Sequence, residues 1–437
     1  MKGIITGFKQ MVKTINLLSF SFYNILKYKC GFVSFEDSII SICDLFIHKN
    51  YIFTKVIQWG VQEIYDEINI KNNDKLKSYF STFSNNVPYT RDELQHSRLL
   101  IKDAIQYANS RNDKLVIENE NYDENHNYIP INSGSVALVF KARLNDTLVV
   151  IKILRPNIRN KIKEDVTILL NLFDNIIIKK LLTFYVSLNF KTFIKSNLEI
   201  LLSQCDFNSE VKNALLFKNN FKNKKNIVIP DVYTHFTETF HNIIIMEYLD
   251  GPIAKNTPLE SLNNYFEPLQ SVFFDSLFRY KTLHGDFHFG NIIVMNGGNS
   301  IGIIDFGIVY FFTDEISNDL FNLLFLSLKS QDIKYFYKIL KITIKMCCSN
   351  KNQHESIFKQ VKEDKKLEQM IRYCDFSANM IIKVTNKIMS LENIDLVPYI
   401  CQLLLSTMSG LQTIEHTNNN KSLNTLVRIY MDKSVVM

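Results

Sequence analysis

The sequence predicts an α+β fold of two lobes, one small and rich in strands, the other helical, preceded by a helical extension. Three observations predict it. At 437 residues, 46 % of them hydrophobic, the chain can bury more than one core. Apolar residues recur at helical spacing through residues 36–110 and again after residue 320. Between those stretches, from Tyr128 onward, the pattern changes to short β-branched runs closed by turns of small residues. The expected boundaries are an extension over 1–127, a β-rich lobe over 128–250 with a helical insertion at 157–217, and a helical lobe over 251–437.

In the extension, residues 1–35 carry five lysines and no acidic residue around the apolar run Ile15–Leu26. That run is shorter than the roughly 20 residues a spanning helix needs. The segment fits an amphipathic helix in peripheral contact with a membrane, a presequence, or a packing helix, and the absence of arginine counts against the second. Further on, Lys55 and Gln58 are three apart and share a helix face, which in the residues alone reads as a solvated face. The polar stretch Glu118–Asn127 marks the end of the extension.

The formal charge of +6, from 50 basic and 44 acidic residues, is too mild to call for nucleic acid. The seven cysteines are odd in number, scattered and without CxxC spacing, which argues against a zinc or disulfide framework and for a reducing intracellular compartment.

The β-rich lobe opens with Ile129–Ala142, read as strand, turn and strand, the turn being Ser133-Gly134-Ser135, whose backbone N–H groups can approach phosphates. The next strand, Leu148–Leu154, holds Lys152 as its only charge. An ammonium in an apolar strand is costly unless paired. Nucleotide phosphates and a helix carboxylate would offset the cost, and Glu210, in the helical segment Gln204–Glu210, is the candidate carboxylate.

The chemistry concentrates in His284–Gly307, HGDFHFGNIIVMNGGNSIGIIDFG. Two apolar runs, Ile292–Met295 and Ile301–Ile304, flank the turn Asn296-Gly297-Gly298-Asn299, which is a hairpin signal. Pairing across it sets Asn291 opposite Asp305 to within about one residue, so an amide oxygen and a carboxylate converge roughly 5 Å apart. Mg²⁺ takes such hard oxygens and fills its other positions with water and phosphate. Asp286, five residues before Asn291, stands on the loop ahead of that spot. After Gly307 the chain enters a helical pattern through Thr313-Asp314-Glu315, with acidic residues suited to a helix start.

From about Tyr51 to Phe312 these segments resemble, in order, the motifs of the UbiB/ADCK family of atypical kinases, a family linked to isoprenoid-quinone lipid metabolism. The Lys55–Gln58 segment is similar to its Lys-x-Gly-Gln motif, Ile131–Ala142 to its nucleotide loop, Val150–Pro156 to its strand-lysine segment ending in Arg-Pro, Gln204–Glu210 to its Glu-x-Asp segment, and His284–Asn291 to its catalytic loop. The resemblance implies a protein-kinase-like fold that binds ATP and Mg²⁺. Lys152 and Glu210 would orient phosphates, Asp286 would be the catalytic Asp, and Asn291 and Asp305 would hold the metal. Glu247 and Leu249 would lie on the hinge beside adenine, while Lys55, Gln58, Gln204 and Asp206 would line the pocket in place of a peptide.

This chain departs from the family at four points. Ile57 stands for a motif Gly, Gln204 for an acid, Asn132-Ser133-Gly134-Ser135 for a run of alanines, and Phe289 for Pro. No Ala-Pro-Glu segment follows Gly307, which points away from a peptide acceptor and toward a lipid or small molecule. Two other readings share parts of the pattern: a small-molecule kinase similar to aminoglycoside or choline phosphotransferases, and a non-catalytic nucleotide-binding scaffold.

Overall fold

Alternation along the strands decides which side chains meet the first core. In a computed structural model, the structure describes residues 16–17, 19–49, 75–76, 79, 87–118, 128–174, 198–295, 300–328, 333–364, 367, 378–391 and 393–417. In chain order the elements that matter are α1 (Phe35–Lys49), α2 (Arg91–Ser110), β1 (Leu115–Ile117), β2 (Asn132–Ser133), β3 (Ala137–Leu144), β4 (Thr147–Leu154), α3 (Ile158–Asp174), α4 (Phe207–Phe221), β5 (Ile227–Val228), α5 (Thr234–Phe240) and β6 (Ile243–Glu247). They continue with α6 (Phe266–Phe274), β7 (Thr282–His284), β8 (Ile292–Val294), β9 (Ile301–Ile303), β10 (Val309–Phe311), α7 (Asp314–Leu328), α8 (Ile333–Cys347), α9 (His354–Lys362), α10 (Ala378–Ser390) and α11 (Pro398–His416).

The chain divides into two compact units, residues 1–207 with 233–247, and residues 208–232 with 248–437.

In the first unit the sheet runs β1-β3-β4-β6, with β2 paired to β3, and all these pairs are antiparallel. Along β4 the even-spaced set Val149, Ile151 and Ile153 is fully buried with Phe140, Ile243, Ile245 and Phe236. Ile101, Ala104 and Ala108, one stripe of α2, join the same core, so this helix covers the sheet with its i, i+3, i+7 face. Helix α2 starts at Thr90, whose hydroxyl accepts from Glu93 N while the Glu93 carboxylate accepts from Thr90 N, a reciprocal cap.

The second unit holds the hairpin β8-β9, extended by β5 parallel to β9, and the two-stranded pair β7-β10. Its other described elements are helices, with buried Leu320, Leu324, Ile339, Ile381, Leu403 and Leu411 in the core. Among the described residues no helix is long and apolar enough to cross a membrane, and the described cysteines are free thiols. Cys347 and Cys348 are both buried, at and just past the end of α8.

Candidate active site

The loop from His284 is anchored by backbone on both sides. β7 pairs with β10 in the register His284 to Val309, and the Gly285 N–H donates to Ile308 O at 2.9 Å. A Cβ on Gly285 would lie 2.3 Å from Ile308 Cγ2 and 2.6 Å from the Tyr310 ring, so any side chain there would force both neighbours to shift. His284 is buried with both ring nitrogens engaged. Nδ1 accepts from Asp286 N at 3.3 Å, which leaves the proton on Nε2 to donate to Ile304 O at 3.1 Å. Burial holds its pKa below the ordinary imidazole value against the opposing pull of the Asp286 and Asp305 carboxylates, so the ring is a neutral brace.

The polar residues of the loop are tied to one another. Asn291 Nδ2 donates to Asp286 O at 2.9 Å, which turns the Asn291 Oδ1 away from that bond as an acceptor. His288 Nδ1 accepts from Gly290 N at 2.9 Å, and its Nε2 lies 3.4 Å from Asp286 Oδ1. From behind, the Thr413 hydroxyl on α11 donates to Phe287 O at 3.2 Å.

The hairpin brings the second carboxylate in. β8 and β9 pair as Ile292 to Ile303 and Val294 to Ile301, and Ile304 N donates to Asn291 O at 3.1 Å. Asn291 therefore faces Ile304, one residue short of Asp305, within the offset the sequence spacing predicts. The turn Asn296–Asn299 lies outside the described residues. Asp305 adopts φ +63°, a left-handed conformation that Asp tolerates better than most residues, and its Oδ1 accepts from Gly307 N at 3.3 Å. Phe306 is buried, its ring 5.1 Å from Phe217 and 5.3 Å from His284, and its carbonyl accepts from Asn213 Nδ2 at 3.0 Å. Phe217 and Asn213 both come from α4, so this helix forms the floor under Asp-Phe-Gly.

Lys152 sits in the middle of β4 between Val139 and Ile244, on the face away from the α2 core. Its Nζ lies 5.6 Å from the centre of the Phe207 ring, a cation–π contact. Glu210 is buried in the first turn of α4 and belongs to the second unit. Gln204 and Asp206 do not share a helix with Glu210 as the sequence predicts. They occupy the turn between a helical stretch at 198–203 and α4, where the Cys205 and Asp206 N–H groups bond back to Leu202 O and Ser203 O. Gln204 is buried, and its Oε1 has no hydrogen-bond partner among the described residues.

Ser133 and Ser135 are buried, with Ser133 in β2 and not in the turn, and Gly134 N donates to Ala137 O at 2.9 Å. Glu247 ends β6, and Leu249 is buried in the second unit against Gly302. Lys55 and Gln58 lie outside the described residues.

Among the described residues there is no cluster of three His, Cys, Asp or Glu side chains able to cage a metal. One carboxylate and one amide oxygen suit a magnesium ion that takes its other ligands from phosphates and water, so the Asn291 and Asp305 donor set fits that ion. Sequence reasoning missed His284 as a brace, Asn213 and Phe217 as the floor, and Arg155, described below. The signals for the last three were the apolar spacing of α4 and the Arg-Pro pair that follows β4.

Residues 112–340, just over half the chain, match the ABC1 atypical kinase-like domain. Three proteins described as "Probable protein kinase UbiB" are similar: from Actinobacillus pleuropneumoniae serotype 5b (27 % identity over 46 % of this chain and 40 % of that one), Tolumonas auensis (30 %, over 38 % and 31 %) and Cronobacter sakazakii (31 %, over 40 % and 33 %). The aligned part thus spans about a third to two fifths of these relatives. A Mycobacterium tuberculosis protein solved in complex with erythromycin aligns at TM-score 0.39 and 19 % identity over 68 % of this chain and 73 % of that one, a likeness that carries no argument.

Proposed function

The chain belongs to the ABC1 atypical kinase-like family, the family of UbiB proteins, with the kinase-like α+β fold that membership entails, and we propose that it binds ATP with Mg²⁺ and transfers or hydrolyses the terminal phosphoryl group. One observation carries the reading. The β8-β9 register sets Asn291 opposite Ile304, one residue from Asp305, and the Asn291 amide donates to Asp286 O at 2.9 Å. Asn291 and Asp305 would hold Mg²⁺, which when bound neutralises charge on the phosphate oxygens. Asp286 would orient the attacking hydroxyl or water and accept its proton, with His288 beside the carboxylate to steady it. Roles for Lys152 and Glu210 at the phosphates, the 133–135 turn around them, and Glu247 and Leu249 near adenine rest on the family pattern.

A lipid or small-molecule acceptor is favoured over a peptide. Residues 308–313 alone separate Gly307 from α7, and three of those residues are spent in β10, paired with β7. No segment of the length that docks a peptide stands there. The test is Mg²⁺-dependent phosphate release from ATP, measured with and without isoprenoid-quinone precursor mimics in vesicles. Release that requires Mg²⁺ and rises with the mimic is the expected result. Thermal stabilisation by ATP without any release or transfer would identify a nucleotide-binding scaffold instead.

A further inference from the structure

Arg155 follows the last residue of β4, three positions beyond Lys152, and is 1 % exposed. A guanidinium taken out of water is costly unless its donors all meet oxygens. Here Nε donates to Gly134 O at 3.1 Å, and Nη1 to Pro88 O at 3.2 Å and Glu93 Oε2 at 2.8 Å. Nη2 donates to Ser133 Oγ and Gly134 O, both at 2.9 Å, and reaches Val87 O at 3.4 Å. The other Glu93 oxygen accepts from Lys161 Nζ at 3.1 Å, so the carboxylate is matched from two sides.

The network converges on one turn of the first unit. Arg155 N donates to Val136 O at 2.9 Å, and Val87 exchanges bonds with Ser133 through its N–H at 2.8 Å and its carbonyl at 2.5 Å. Gly134 has no left-handed φ, and a Cβ there would make an ordinary 3.5 Å contact with Ala137 O. Glycine geometry therefore does not impose the orientation of the Gly134–Ser135 peptide. Two nitrogens of Arg155 do, by drawing the Gly134 carbonyl inward. A trans peptide aims its C=O and the following N–H in opposite directions, so the Ser135 N–H is turned away from the guanidinium. Among the described residues it meets no acceptor in the chain. An oriented backbone N–H of this kind is a donor for a phosphate oxygen.

We propose that Arg155 is a positioning residue for phosphate recognition, holding the Gly134 carbonyl inward so that the Ser135 N–H is presented to the phosphates of a nucleotide. The inference rests on the nucleotide reading above. Lysine at 155 would keep the charge but offers three donors on one nitrogen in place of five on a planar fork, so it cannot hold Gly134 O from two nitrogens as Nε and Nη2 do.

The test is calorimetric titration of the full chain with Mg·ATP and, separately, with adenosine, for wild type, Arg155→Lys and Ser133→Ala. Arg155→Lys is expected to weaken Mg·ATP about tenfold and to leave adenosine within about twofold. Ser133→Ala, which removes one Nη2 acceptor, shifts Mg·ATP the same way by a smaller factor. Unchanged Mg·ATP affinity in Arg155→Lys, or equal loss of both ligands, overturns the proposal while leaving the nucleotide reading standing. Should Arg155→Lys fail to fold, Ser133→Ala decides: selective weakening of Mg·ATP supports the role and its absence rejects it. A wild-type chain that binds neither ligand overturns the nucleotide reading and this proposal together.

Discussion

The turn after Ser133, in the first unit, and the loop from His284 to Gly307, in the second, are held by opposite means. The loop is built from backbone ladders and packing: β7 on β10, β8 on β9, an aromatic floor, and glycines at 285 and 302 where a Cβ would meet neighbours at 2.3 and 2.5 Å. The turn is built from one buried cation that draws in three carbonyls, a hydroxyl and a carboxylate. A site made of packing fails when volume changes. A site made of directed hydrogen bonds fails when donor geometry changes, even at constant charge and similar size.

That contrast is testable. Asp305→Asn keeps a residue that accepts a left-handed backbone, so its melting temperature should match wild type while Mg²⁺-dependent phosphate release falls by about a hundredfold or more. Release at the wild-type rate would remove Asp305 from the site. Next in size, Gly285→Ala should cost about 1–3 kcal/mol by urea unfolding, since Ile308 and Tyr310 must move. Gly134→Ala, with ordinary clearance, should stay within about 0.5 kcal/mol of wild type. Equal losses at the two glycines would show that the loop and the turn are not held differently.

Smaller effects probe the loop's supports. Asn213→Ala removes the donor to Phe306 O and leaves a buried residue's carbonyl short of a partner, which should cost about 1 kcal/mol in the same unfolding assay. Tyr399→Phe should cost about 0.5 kcal/mol or less. Its hydroxyl both accepts from Phe311 N and donates to Phe311 O at 2.7 Å, yet Phe311 is half exposed and water can replace it. A loss as large as that for Gly285→Ala would mean that the β10 edge governs the loop more than its tight packing does.

The residues differ in how readily their roles could be read. Lys152 stood out as a lone charge in an apolar run, and the β8-β9 pairing followed from two short runs and a turn between them, because strand period and turn chemistry are local. The strand before the Gly134-Ser135 turn proved only two residues long and takes in Ser133, and β1, β5 and β7 were not foreseen, since runs of two or three residues carry no periodic signal. The helix expected over Gln204–Glu210 is broken at Cys205-Asp206, a local turn that apolar spacing does not reveal.

From the amino acids in order came the kinase-like pattern, the order of its segments, and the meeting of Asn291 with the neighbourhood of Asp305. These depend on residues close in the chain, where spacing sets geometry. Folding in three dimensions supplied the rest: His284 as a neutral brace between two carboxylate-bearing segments, α4 as the floor, and Arg155 reaching back 68 positions to Val87. No local rule ties such distant residues together, because their contacts exist only once burial has forced each polar atom to find a partner.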